Sequence, residues 1–260
     1  MKDVYKIIGD EIKISKVFDE SSSCGYIFTV IKKCINEKLI ICPKVELTYN
    51  ELQPPTSLLN FCKVNNRLFA INAGIFNVET LKPECVLILN SNIIIDQAET
   101  YKRTRNDEGD DKRTELYNLA IDKNGDMKAY APSFSAKDII NDGGVYAVTG
   151  FVPLIIDGRI FKDANKIYHY GSVVKKSRQV IGQLQNLNYF VLTCEYPGMT
   201  LEEIRRILIK ADVKFAYNLD GGKSTQTVFR KELLTYPYVG DTGRQIPTII
   251  TFNYKYMDEN

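Results

Sequence analysis

Phe215-Ala216-Tyr217-Asn218-Leu219-Asp220-Gly221-Gly222-Lys223-Ser224-Thr225 is the run from which the chain is best read. An apolar segment, Phe215 to Leu219, leads into it, and a β-branched segment, Thr225 to Phe229, leads away. As a strand of period two, the first segment puts Phe215, Tyr217 and Leu219 on one face and Asn218 on the other, with Asp220 following Asn218. The glycines permit a sharp turn and let a ligand approach bare backbone. One reading is a polar site at the end of a buried strand. The other is an Asp-Gly turn that joins two strands and does nothing more. A Walker phosphate loop is excluded. Gly222-Lys223-Ser224 ends like one, but its first glycine would fall at Tyr217, and Thr225 to Phe229 alternates like a strand instead of opening a helix.

The same design occurs earlier: Leu68 to Phe76 is an apolar strand running into Asn72 and Gly74. Around these two segments, strand patterns predominate. Ile27 to Ile31 and Leu39 to Cys42 are separated by the turn-like Asn36-Glu37-Lys38. Hairpins are expected around Asn90-Ser91, Lys123-Asn124-Gly125-Asp126, Asp157-Gly158 and Gln185 to Asn188. Short helices are expected over Ser57 to Val64 and Ala136 to Asn141. Thr200-Leu201-Glu202-Glu203 is a capping box, and Leu201, Ile204, Ile207, Leu208 and Ala211 make one apolar helix face after it. The pattern predicts an α+β fold: a single domain with a largely antiparallel, twisted sheet and one or two packed helices.

Composition narrows the function classes. The chain has 260 residues and a net charge of +2, which gives no electrostatic case for nucleic acid or a membrane surface. The charged run Tyr101 to Arg113 mixes both signs and reads as a solvated loop. No apolar stretch reaches the length of a membrane span. The N-terminus lacks the apolar core of a signal peptide, so a cytoplasmic location is expected, with association with a virion as the alternative. Cysteines stand at 24, 34, 42, 62, 85 and 194, with neither a CxxC pair nor a zinc pattern, and are expected as reduced thiols. His169 is the single histidine, too few for a histidine-rich metal site, and is expected to be structural or exposed. No cofactor is called for. Acidic side chains near Asp220 can hold a divalent ion, but no ligand pattern demands one. The oligomeric state is not legible.

Six segments, in order, resemble the phosphodiester glycosidase family. They are Ile71-Asn72-Ala73-Gly74-Ile75-Phe76, Ala147 to Gly158 with Thr149-Gly150 and Pro153-Leu154, Ser177 to Gly182 with Arg178, Gly198 to Glu203, Asn218 to Ser224, and Gly243-Arg244-Gln245-Ile246-Pro247. The resemblance covers about 65–254, and residues 1–64 form a strand-rich extension expected to pack on the same domain. Bacterial and phage chains carry such domains. Two departures stand out. Lys223 replaces the family's third glycine, and Glu195-Tyr196-Pro197 stands where Asp-Gly-Arg is common.

The resemblance implies hydrolysis of a sugar-1-phosphodiester, N-acetylglucosamine-1-phosphodiester-like, at the anomeric C–O bond. The partner is then a small-molecule or glycan phosphodiester. Asp220 and Glu195 are the candidate catalytic carboxylates. Arg178 and Arg244 would grip the phosphodiester by two-pronged hydrogen bonds. Backbone N–H groups at Gly74, Gly221 and Gly222 would cradle oxygens, beside Gly150 and Lys223. Asn72, Thr149, Asn218 and Ser224 would hold sugar hydroxyls. The leaving phosphate monoester has a second pKa near 6 and departs without a strong general acid. The alternative is a protein of the same fold that sequesters a sugar phosphate or nucleotide, or a phage structural component, without turnover.

Overall fold

Alternation of apolar side chains builds three antiparallel sheets in a computed structural model, which describes residues 2–8, 11–96, 116–167 and 173–256. The charged run Tyr101 to Arg113 and His169 lie outside the described residues. In chain order the strands are β1 (Lys2–Ile8), β2 (Ile12–Asp19), β3 (Cys24–Ile31), β4 (Leu39–Leu47), β5 (Phe69–Asn72), β6 (Val86–Leu89), β7 (Asn92–Asp96), β8 (Asn118–Asp122) and β9 (Met127–Tyr130). They continue with β10 (Gly144–Thr149), β11 (Val152–Ile156), β12 (Arg159–Ile160), β13 (Lys176–Leu184), β14 (Tyr189–Met199), β15 (Val213–Asn218), β16 (Thr227–Phe229), β17 (Glu232–Leu233) and β18 (Thr248–Tyr256). The helices are α1 (Leu58–Asn65), α2 (Ala136–Asn141), α3 (Ala164–Ile167) and α4 (Leu201–Lys210).

The largest sheet runs β1-β2-β3-β14-β13-β15-β11-β12, the second β7-β6-β10-β8-β9 and the third β17-β16-β5-β18-β4. The fold is the expected α+β class, with the antiparallel strands divided among three sheets instead of one. The period of two explains how they share a core. On β15, Phe215 and Tyr217 face a cluster that also holds Ile71 and Phe252 of the third sheet and Leu119 of the second. The intervening Ala216 faces the opposite side, where α4 lays Leu201, Ile204 and Leu208 over Val180 and Leu192. The α4 capping box forms as expected: Thr200 Oγ1 accepts from Glu203 N–H, and the Glu203 carboxylate accepts from Thr200 N–H. On the outer face of the third sheet, α1 packs Leu58 and Cys62 against Val228 and Ile249.

Residues 12–47 are part of this architecture. β3 pairs with β14 from Tyr26 to Ile31, and β4 pairs with β18 along its whole length. The Asn36 to Lys38 segment therefore carries the chain from one sheet to another. The six cysteines are free thiols, and Cys24, Cys42, Cys62 and Cys194 are buried. Among the described residues no helix is long and apolar enough to cross a membrane.

The segment 218–227 is also a crossing between sheets. β15 lies between β13 and β11 in the large sheet, whereas β16 pairs with β5 in the third. The Asp-Gly step is thus no hairpin turn. Residues Gly222–Ser224 form one turn of 3-10 helix, which delays the expected strand after Thr225 until Thr227. Leu219 N–H still donates to Gln179 O of the large sheet at 2.9 Å, and Asp220 N–H donates to Ala73 O beyond β5 at 3.1 Å. Asp220 sits at the seam.

Candidate active site

At this seam opens a cavity of about 200 Å³ lined by Asp220, Gly221, Gly222, Ser224, Arg178 and Arg244, with Lys176 beside them. Ile75, Phe76, Val78 and Phe151 make its apolar wall. The four charged groups arrive from three parts of the chain: Lys176 and Arg178 from the start of β13, Asp220 from just beyond β15, and Arg244 from the loop before β18. Arg178 is 2% exposed; its Nε donates to Met199 O at 3.2 Å and Nη2 to Val174 O at 2.9 Å, which fixes the guanidinium plane. Gly221 N–H donates to Asp220 Oδ1 at 2.9 Å and holds the carboxylate over the turn. Arg244 Nη1 lies 3.4 Å from Ser224 Oγ, and its guanidinium stands 5.8 Å from the centre of the Phe76 ring. Gln226 anchors that loop by donating from Nε2 to Arg244 O at 2.8 Å.

The glycines differ in their reasons. A Cβ on Gly221 would come within 2.6 Å of Ser177 O, so this glycine lets β13 approach the turn. Gly222 has φ +61°, with open space where a Cβ would be. Of the three N–H groups expected to cradle oxygens, two are engaged within the protein: Gly74 donates to Thr248 Oγ1 at 3.2 Å and Gly221 to Asp220. Gly222 N–H opens the 3-10 turn, whose own bonds begin at Ser224 N–H, so it precedes the bonded part of the turn.

The other expected residues stand behind or beside the cavity. Asn72 is buried; its Nδ2 donates to Asp220 O at 2.8 Å and its Oδ1 accepts from Gln226 N–H at 3.0 Å, so one amide ties both ends of the crossing segment to β5. Thr149 Oγ1 donates to Asn118 Oδ1 at 2.5 Å and accepts from Val86 N–H at 3.0 Å. Gly150 N–H donates to Tyr217 Oη at 2.9 Å, and a Cβ there would meet the Tyr217 ring at 2.7 Å. Asn218 is buried, with Nδ2 on Leu219 O and Oδ1 without a protein partner. Glu195 does not line the cavity; its Oε1 accepts from Tyr236 N–H. Lys223 is exposed.

Lys176, Phe76 and Phe151 were not singled out by sequence reasoning. The signal for Lys176 was its i, i+2 relation to Arg178 on a strand. The two phenylalanines stood inside recognised segments but looked like core. Cys194, opposite Arg178 in register, is no nucleophile at neutral pH, since burial pushes its thiol up to about 12. Among the described residues, no group of three or more His, Cys, Asp or Glu side chains comes together to hold a metal ion.

Comparison with known proteins bears on this geometry. The family model for phosphodiester glycosidase matches residues 65–253. The chain belongs to the phosphodiester glycosidase family. This membership makes a glycosidase-type hydrolytic function the family expectation. The catalytic domain of zebrafish N-acetylglucosamine-1-phosphodiester alpha-N-acetylglucosaminidase, auto-inhibited by its pro-peptide, has a similar fold: TM-score 0.67, 18% identity, covering 92% of this chain and 81% of that one. A hypothetical protein from Synechocystis is similar too, with TM-score 0.68 and 15% identity over 97% of this chain and 64% of that one. At such identities the likeness is one of fold. A search of curated proteins finds no significant match.

Proposed function

We propose that this family member hydrolyses a sugar-1-phosphodiester, N-acetylglucosamine-1-phosphodiester-like, at the anomeric C–O bond. The observation that carries the reading is the meeting of Asp220 with Arg178 and Arg244 in one small cavity. A phosphodiester brings one negative charge, and the departing phosphate monoester gains more as the bond breaks. Fixed cations aimed at that phosphate are therefore worth more in the transition state than in the ground state. Arg178, immobilised by two carbonyls, is preorganised for this role, and Lys176 and Arg244 add to it. Asp220 faces the opposite need, because positive charge develops at the anomeric carbon. Its carboxylate serves as base toward water or as nucleophile. The oxygen that arrives bonds to C1, water's proton passes to the Asp220 carboxylate where it acts as base, the C1–O bond breaks with its electron pair staying on the phosphate oxygen, and the phosphate leaves without protonation. Phe76 and Phe151 offer apolar surface to the sugar ring, and Gly222 N–H offers a donor.

The test is incubation of the protein with an α-GlcNAc-1-phosphodiester and measurement of free sugar against protein concentration. The reading requires many sugars released per chain. A sequestering protein gives capture at one ligand per chain and no free sugar, which would replace the enzymatic reading.

A further inference from the structure

Arg178 takes its aim from two carbonyls, Met199 O and Val174 O, and neither lies in a regular stretch of the sheet. Val174 precedes β13, which begins at Lys176. Met199 follows a bulge: Cys194 pairs with Arg178 and Met199 with Lys176, so Glu195-Tyr196-Pro197-Gly198 oppose the single residue Ser177. Outside a regular ladder, a carbonyl keeps its place only if another contact holds the backbone that carries it. One carboxylate reaches both segments. Glu203 Oε2 accepts from the N–H of Thr200, the residue after Met199, at 2.8 Å. Glu203 Oε1 stands 3.1 Å from the Nζ of Lys175, the residue after Val174. Lys175 Nζ also donates to Ser22 O at 2.6 Å. Ser22 is buried in the turn between β2 and β3, outside the residues 65–253 that the family model matches.

We infer, on the sugar-1-phosphodiester reading above, that Lys175 is a positioning residue for Arg178. Its ammonium ties the Val174 segment to α4 and to the β2–β3 turn, and so sets the plane in which the guanidinium meets a phosphate. Lys175 does not itself line the cavity. Its side chain is 42% exposed and that of Glu203 12%, and a pair so placed adds little to stability. Its value lies in what it spans, since both carbonyls that hold Arg178 stand one residue from an end of the Lys175–Glu203–Thr200 chain. A two-pronged guanidinium contact depends on plane as well as charge, and a displacement of about 1 Å at such a group can cost about 10²-fold. The strands that precede the matched region thereby serve the site through one carbonyl.

The experiment is a double-mutant cycle of Lys175→Met and Arg178→Ala. The probe is the methyl diester of α-GlcNAc-1-phosphate, with kcat, KM, calorimetric Kd and Tm measured for the four proteins. Lys175→Met alone should weaken Kd and raise KM about fivefold, less than loss of the guanidinium itself, because the charge stays but its aim does not. Its Tm should fall by no more than about 3 °C. In the Arg178→Ala background, Lys175→Met should change Kd no further. If Arg178→Ala folds poorly or binds too weakly to titrate, Arg178→Lys supplies the background, since an ammonium has no fork to orient. Unchanged affinity in Lys175→Met overturns the inference. So does an equal loss in both backgrounds, which would make Lys175 a distant charge or a general support of the fold. If the wild type binds the diester without turning it over, the reaction reading falls, and the Kd cycle still decides Lys175. Failure of the wild type to bind the diester overturns both.

Discussion

Two cavities of this molecule invite comparison. The larger, about 540 Å³, lies between the β8–β9 hairpin and strands β11, β13 and β15, and is lined by Asp122, Asp126, Asp142 and Asp157 with Lys128 and Lys214. The smaller is the site at the seam. In the larger one three of the four carboxylates serve the fold. Asp122 Oδ1 accepts from the N–H groups of Asn124 and Asp126 at 2.8 Å each and shapes the hairpin. Asp126 accepts from Lys33 Nζ at 2.5 Å and Gln183 Nε2 at 2.9 Å, and Asp142 accepts from Tyr130 Oη at 2.6 Å. In the smaller one, three cations line the space with one carboxylate. Volume does not distinguish a site from a gap between sheets. The balance of charge does: one is rich in carboxylates, the other in cations.

The comparison breaks first at Asp220. Asp220→Asn should lower kcat by at least about 10²-fold with a smaller change in affinity, since phosphate binding rests on the cations. Equal turnover would remove Asp220 from the chemistry. Arg178→Ala should show the reverse balance: diester Kd weaker by roughly tenfold or more and its salt dependence reduced, as titration at low and high salt would register.

Glycines sharpen the contrast further. Gly125 of the β8–β9 turn has φ +79° and would bring a Cβ to 2.3 Å from Tyr189 Oη, so Gly125→Ala should cost about 3 kcal/mol in denaturant unfolding. Gly222→Ala meets only its positive φ and should cost about 1 kcal/mol. The smallest effect belongs to Asp126. Burial pushes its carboxyl up, but hydrogen bonds from Gln183 and Lys33, with the Lys33 charge, outweigh this and hold it below the ordinary value. Its contribution to stability is complete above the unfolded pKa, near 4, and fades as pH falls through the lower folded one. Asp126→Asn should lower Tm at neutral pH by roughly 1–3 °C, with the deficit vanishing in acid and turnover unchanged.

How far the sequence carried this picture depended on the range of the interactions. Local signals were reliable: the α4 capping box and the Asn-Ser, Asn-Gly and Asp-Gly hairpins fall where their residues require them. Sheet membership was not legible, because an alternating strand reads the same whichever partner it joins. Nothing in Leu39 to Leu47 says that its neighbour is β18, far along the chain. The site divides in the same way. Asp220 was visible as a carboxylate beside glycines at a strand end, and Arg178 and Arg244 through the resemblance of their segments to the family's. That Asn72 and Thr149 spend their side chains on backbone and on Asn118 depended on long-range packing. Lys176 and the Tyr196 bulge were hidden for a related reason: the register shift that places them is set by pairing between strands.

The Asn72 clamp has a kinetic consequence. Its two hydrogen bonds join residues 148 and 154 positions apart, and they hold the Asp220 segment only after the large and third sheets have met. Contacts of such separation form late, since loop closure precedes any reward from them. In refolding, hairpins and α4 should recover their circular dichroism before the clamp closes. Ligand-binding competence should return only with the slowest phase. The site therefore reports completion of the fold, and a partly folded chain should be unable to grip or cleave a diester.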